Sequence, residues 1–246
     1  MFEHRPGFLV RLRPRSDTIY ASQSRTVLAT ELDGTIADGR ERGLFVHQTR
    51  LLSRYRYLFD GAPPQPVALS NVEQHTWLGY YIVAAPGVEV EEDHGSGALG
   101  AASQETLELR VSRYVGEGLH EDLDITNFTQ QPTSFEFTLD IDADFADQIE
   151  TKSRRLQQGE LKREWRPATG VCELVFDYTA EHHYHQQGNT GHAAIHRQLT
   201  VRLEHLSSPG DYREGRIVFP IDLPPGGRWH CCLNFIPMID GQVLAP

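Results

Sequence analysis

Residues 134–145 alternate without interruption. Phe135, Phe137, Leu139, Ile141, Ala143 and Phe145 fall on one side of an extended chain, and Ser134, Glu136, Thr138, Asp140, Asp142 and Asp144 on the other. Successive side chains point to opposite faces only in a strand, so this segment predicts a half-buried antiparallel strand. The same period of two recurs at Leu107–Val111, Cys172–Tyr178 and Ala193–Glu204. Further strands are expected at 51–59, 76–83, 119–127, 216–223 and 229–236. Turn formers separate these segments at Asp33-Gly34, Asp60-Gly61-Ala62-Pro63-Pro64, Gln130-Gln131-Pro132, Ser208-Pro209-Gly210 and Pro224-Pro225-Gly226-Gly227. A helical period is hard to find. Residues 146–165 are the one stretch that reads as helical or irregular, and Gly159 weakens it. Many short strands with turn punctuation predict an all-β fold, a large antiparallel two-sheet β-sandwich with at most a short helix. With 246 residues and 39% hydrophobic side chains, a single domain spanning 1–246 can bury a sizeable core. Residues 239–246 read as the start of a linker.

The charge is unevenly spread. Net charge is −11, and residues 61–150 hold 2 basic and 17 acidic side chains. Such an acidic belt repels phosphate backbones and anionic lipid surfaces, so neither nucleic acid nor membrane is an expected partner. The first 15 residues alternate Arg with apolar side chains and lack the apolar core of a signal peptide. Three cysteines, Cys172, Cys231 and Cys232, are too few and too oddly placed for a disulfide framework. A cytoplasmic location follows, and Asn127-Phe128-Thr129 then reads as an accidental glycosylation sequon. Cys231 and Cys232 are expected on opposite faces of one strand, one buried and one not.

Several motifs hold residue types that can do chemistry. Gly95-Ser96-Gly97-Ala98-Leu99-Gly100 spells a dinucleotide fingerprint, but acidic residues precede it and no βαβ pattern surrounds it. Asp140, Asp142 and Asp144 open like a calcium loop, yet Phe145 and Thr151 stand where that loop needs Gly and Glu. On a strand these carboxylates would line one solvated face about 7 Å apart, a spacing that also suits an inverting glycosidase pair. His183-Tyr184-His185 puts two imidazoles on one strand face, but no carboxylate follows closely, so a polar hairpin is the simpler reading. No Cys-x-x-Cys or Gly-x-Ser-x-Gly motif is present. Neither a cofactor nor a metal is therefore expected. Trp77, Tyr80, Tyr81, Trp165, Tyr178, Tyr184 and Trp229 could stack on sugar rings or fill the core; sequence does not pick the exposed ones.

Four ordered stretches resemble the N-terminal domain of glycogen-debranching-type enzymes, the amylo-α-1,6-glucosidase-related proteins. They are Gly43-Leu44-Phe45-Val46-His47-Gln48-Thr49-Arg50-Leu51-Leu52-Ser53-Arg54; Leu119-His120-Glu121 with Thr126-Asn127-Phe128; Asp142-Ala143-Asp144-Phe145-Ala146-Asp147-Gln148-Ile149-Glu150; and Val175-Phe176-Asp177-Tyr178. The resemblance spans residues 22 to 238. It implies a β-sandwich preceding a catalytic (α/α)6 barrel that carries the acid and base, with an α-glucan as substrate. This chain then reads as the non-catalytic domain that buttresses the barrel and shapes the glucan cleft. His47, Arg50 and Asp144 are the residues expected to contact carbohydrate or the barrel; the alternative is that Arg50 and Asp144 simply tie strands together. Gln48 stands where the family usually has Asp, and Lys152 where it often has Arg. If that Asp pairs with Arg50, Gln48 weakens the bond. Two other classes stay open: a free-standing carbohydrate-binding or interaction domain, and a stand-alone enzyme using Asp142/Asp144 or the His hairpin.

Overall fold

Where period-two segments carry bulky apolar residues on one side, they pair edge to edge and bury that side. A computed structural model of the chain describes residues 17–37, 41–84, 106–152, 159–186 and 189–246. Every strand pair is antiparallel, and no helix occurs among the described residues. The first sheet is a four-stranded meander of β1 (Ile19–Gln23), β2 (Thr26–Thr30), β3 (Gly43–Val46) and β4 (Thr49–Leu52). The second sheet also has four strands, in the order β14 (Asp211–Arg213), β15 (Arg216–Leu223), β10 (Thr133–Asp142), β5 (Arg54–Phe59). The third has nine. Its order is β11 (Gly159–Ala168), β12 (Val171–Gln186), β13 (Asn189–Glu204), β16 (Arg228–Ile239), β9 (Leu119–Asn127), β8 (Thr106–Val115), β7 (Thr76–Ala84), β6 (Gln65–Glu73), with β17 (Gln242–Val243) beside β16.

The core lies between the large sheet and the two small ones. Trp229 of β16 meets Phe137 and Phe219 of the second sheet edge-on, at 5.5 and 5.1 Å between ring centroids. Tyr55 of β5 meets Phe235 of β16 in the same way at 5.4 Å. The first sheet is tied on by Tyr81 Oη, which donates to Asp33 O at 2.6 Å, and by Thr26 Oγ1, which donates to Glu117 O. The antiparallel β-sandwich expected from the alternation is therefore what forms.

Three details differ from the expectation. The stretch 51–59 is two strands, because at Ser53 the chain leaves the first sheet for the second; the Ser53 N–H bonds Asp142 O instead of a strand neighbour. Residues 159–165, expected to be helical or irregular, are the edge strand β11, whose Leu161 and Trp165 lean on the core while charged side chains face solvent. Its charges suit an unpaired edge. Cys231 faces the core and Cys232 the outer face, but both are buried, since the His120 ring covers the Cys232 thiol. Toward the end of the chain, Gln242–Val243 pairs with β16 and Leu244 is buried. The Gly95–Gly100 motif lies outside the described residues.

Asn127 has a structural use that the sequon reading missed. Its side chain is fully buried; Nδ2 donates to Gln131 O and Leu223 O, each at 3.0 Å, and Oδ1 accepts from Thr129 N and Oγ1. One amide thus locks the β9–β10 turn to the end of β15.

Candidate functional site

The β3–β4 hairpin closes on two residues, His47 and Gln48, with φ of 46° and 70°. Two consecutive left-handed residues make the turn whose twist matches the flanking strands. A short polar residue such as Asp would tolerate the backbone of position 48 better than Gln does. Both residues are exposed at the tip. From the next strand, Arg50 lies flat and buried. Gly43 permits this, for a Cβ there would fall 2.6 Å from Arg50 Cδ and 2.5 Å from Leu52 O.

After β10 ends, residues 142–148 continue alongside β4. Arg50 N–H donates to Ala146 O at 2.7 Å, Gln148 N–H donates to Gln48 O at 3.0 Å, and Thr49 bridges to Asp147. This juxtaposition aims Asp144 at Arg50: Nε donates to Oδ1 at 3.1 Å and Nη2 to Oδ2 at 2.5 Å, a two-pronged charge-assisted pair. Arg50 Nη1 also donates to Arg42 O. The carboxylate that Arg50 meets is therefore Asp144, while position 48 belongs to the turn. Asp147 then accepts from the N–H groups of Ile149 and Glu150, and Glu150 accepts from the Asp147 N–H. That is a helix-capping box that closes a single turn.

The three aspartates do not form a solvated face. Cross-strand register sets Asp140 opposite Arg56 and Asp142 opposite Arg54. Asp140 is buried and bonded by Arg54 Nε and by both Arg56 Nε and Nη2; Asp142 is bonded by Arg163 at 2.8 Å. Guanidinium donors thus occupy the carboxylates that a stand-alone glycosidase would present to a substrate. A single strand read alone could not show this, because the arginines come from β5 and β11.

A groove of about 320 Å³ opens beside the hairpin, lined by Tyr20, Arg25, Phe45, Gln48, Gln148 and Lys152 among others. Tyr20 is 45% exposed. An accessible aromatic flanked by amide and charged side chains is chemistry that suits a sugar ring. Sequence reasoning missed Tyr20; of its aromatic candidates, Trp77, Tyr81, Tyr178 and Trp229 are buried in the core. The expected His hairpin forms, its backbone pairing His183 with His192 and His185 with Thr190. The side chains of His182, His183 and His185 lie outside the described residues.

The acid of the Leu119-His120-Glu121 stretch lies in the core. Glu121 accepts from Arg113 Nε at 2.5 Å, from Tyr57 Oη at 2.9 Å and from Tyr55 Oη. Arg113 donates also to Gly34 O at 2.6 Å and lies 4.7 Å over the Trp77 ring. Burial, then the Glu121 carboxylate, pushes the Tyr55 phenol well above its ordinary range; burial does the same to Tyr57 and Tyr81. The group is satisfied and sealed from solvent, which makes it a strut between sheets.

These features define an antiparallel β-sandwich domain whose motif residues hold its sheets together around a small polar groove. The sequence model for the N-terminal domain of (some) glycogen debranching enzymes matches residues 22–234, and the chain belongs to that family. Comparison with curated proteins finds no match.

Proposed function

We propose that this chain is the non-catalytic N-terminal β-sandwich domain of a glycogen-debranching-type α-glucan glycosidase, one domain over residues 1–246. It buttresses a catalytic (α/α)6 barrel and shapes the barrel's glucan cleft. The observation that carries this reading is the Arg50–Asp144 pair, which joins two of the family stretches, the same two that line the groove through Gln48 and Gln148. Exposed His47 at the hairpin tip is the contact residue. Rigid scaffolds commonly present contacts this way. A cytoplasmic location goes with this role, and three free, buried cysteines support it. Among the described residues no helix is long and apolar enough to cross a membrane.

Glucan affinity measured by calorimetry and gel retardation, with and without an added barrel domain, tests this. A buttress gives weak binding alone and strong binding only with the barrel. The groove favours a second reading, a free-standing carbohydrate-binding module. Tight binding by the chain alone, lost in Tyr20→Ala, would establish that instead. Hydrolysis of isomaltose by the purified chain, abolished by Asp144→Asn, would overturn both.

A further inference from the structure

The outer face of the large sheet gathers metal-ligating side chains that come from two adjacent strands. On β9, His120 and Asp122 face outward; on β16, Cys232 sits opposite Asp122 in register, and Asn234 opposite His120. His120 Nε2 lies 3.2 Å from Asp122 Oδ2 and 3.9 Å from Cys232 Sγ. One donor atom from each of the three residues fits within 4.8 Å of the other two.

The hydrogen bonds around them fix the imidazole tautomers. Asn234 Nδ2 donates to Glu204 Oε2 at 3.1 Å, and a carboxylate only accepts, so Asn234 Oδ1 must face His120. His120 Nδ1 therefore carries a hydrogen and donates it to that oxygen at 2.9 Å. In the neutral ring Nε2 is then a bare lone pair aimed at the Asp122 carboxylate. His230 repeats the arrangement: Nδ1 donates to Asp124 Oδ1 at 2.9 Å, and Nε2 lies 4.0 Å from Asp122 Oδ1. A lone pair facing a carboxylate is relieved by a proton on Nε2 or by a metal ion in its place. A ligating His usually gives its other ring N–H to a carboxylate or carbonyl, which is the pattern both histidines show.

We propose that His120, Asp122 and Cys232 bind a divalent transition-metal ion of the zinc class, with the fourth position open to solvent. Bond lengths of 2.0–2.1 Å to N or O and 2.3 Å to S put tetrahedral N···S at about 3.6 Å and N···O at about 3.4 Å; the Nε2–Asp122 spacing is close to this, while the thiol, 3.8 and 3.9 Å from the two ring nitrogens, has to turn toward the Nε2 edge. Mixed N, S and O donors select zinc, cobalt or copper over calcium or magnesium. The side chains of His120 and Asp122 are each over a third exposed, so an ion can reach them without opening the fold. Sequence reading expected no metal and took the 183–185 hairpin as merely polar; this cluster is invisible there because His120 and Cys232 are far apart along the chain.

Titration of the purified chain with Co²⁺, followed by absorption, tests the site. One Co²⁺ per chain is expected, with tetrahedral ligand-field bands and a thiolate-to-cobalt charge-transfer band, displaced by Zn²⁺. Cys232→Ser should remove the charge-transfer band, and Asn234→Ala should weaken binding about 10–100-fold, the usual effect of losing the group that orients a ligand. His183→Ala should change neither. Far-UV circular dichroism in EDTA verifies folding, and Asp122→Asn serves if Cys232→Ser is unfolded. Absence of stoichiometric uptake, or uptake with the same bands in Cys232→Ser and Asp122→Asn, overturns the proposal; an imidazolium–carboxylate pair then holds the cluster.

Discussion

Phe145 lies face to face with Tyr178, ring centroids 5.3 Å apart and planes 3° from parallel. The contact joins two of the family stretches across the sandwich. It also holds Phe145 at a φ of 53°, a left-handed backbone that bulky residues avoid. Phe145→Ala should destabilise the domain by about 3–5 kcal/mol, as truncation of a buried aromatic does. Urea unfolding followed by fluorescence measures this. A loss under ~1 kcal/mol, typical of a surface site, would mean that the stack holds nothing.

Arg113 and Glu121 are charges sealed in the core, with side-chain exposures of 1% and 0%. Removing one should be worse than removing both. Arg113→Met strands a buried carboxylate and should cost roughly 3–5 kcal/mol. Adding Glu121→Leu to Arg113→Met should recover part of that loss, and a double-mutant cycle of unfolding free energies reads the coupling directly.

The Arg50–Asp144 pair is less enclosed, since the Asp144 side chain is 28% exposed. Arg50→Ala should therefore cost roughly 2–3 kcal/mol, below the range for a sealed pair. Arg50→Lys should restore charge but not the two-pronged geometry, recovering under half of the loss. Thermal melts of the three proteins at low and high salt distinguish these outcomes.

Alkaline pH should unfold the domain. Tyr55, Tyr57 and Tyr81 hold their protons in the folded state beyond the pH at which a free phenol ionises, because burial disfavours the phenolate. Above about pH 10 the unfolded chain loses these protons first, so stability falls by about 1.4 kcal/mol per pH unit per tyrosine. Cys231 adds to the slope from the thiol range upward, since burial pushes its thiol well up. Below pH 8 these groups leave stability unchanged. Urea midpoints between pH 8 and 11.5 check the sign, and Tyr81→Phe should flatten the curve.

The sandwich was legible because alternation is a local property. Phe135 to Ile141 declared a buried face, and Asp60-Gly61 a tight turn, with no knowledge of what lay opposite. The partners of charged groups were not legible. Asp140 looked solvated until register placed Arg56 beside it, and nothing in the sequence marked Glu121 as the acid that Arg113 and two tyrosines enclose. Strands poor in alternation were also missed. β6 is almost wholly exposed, so its sequence carries no apolar face to detect. Arg50 and Asp144 were singled out by resemblance, and their bond appears only when segment 142–148 folds back along β4.

The crossing at Ser53 has a mechanical consequence. Arg50, just before it, grips Asp144; Arg54 and Arg56, just after it, grip Asp140. One polypeptide segment, 140–148, is therefore splinted to both small sheets at once. A load applied at the groove is shared between the two small sheets instead of bending the chain at a hinge.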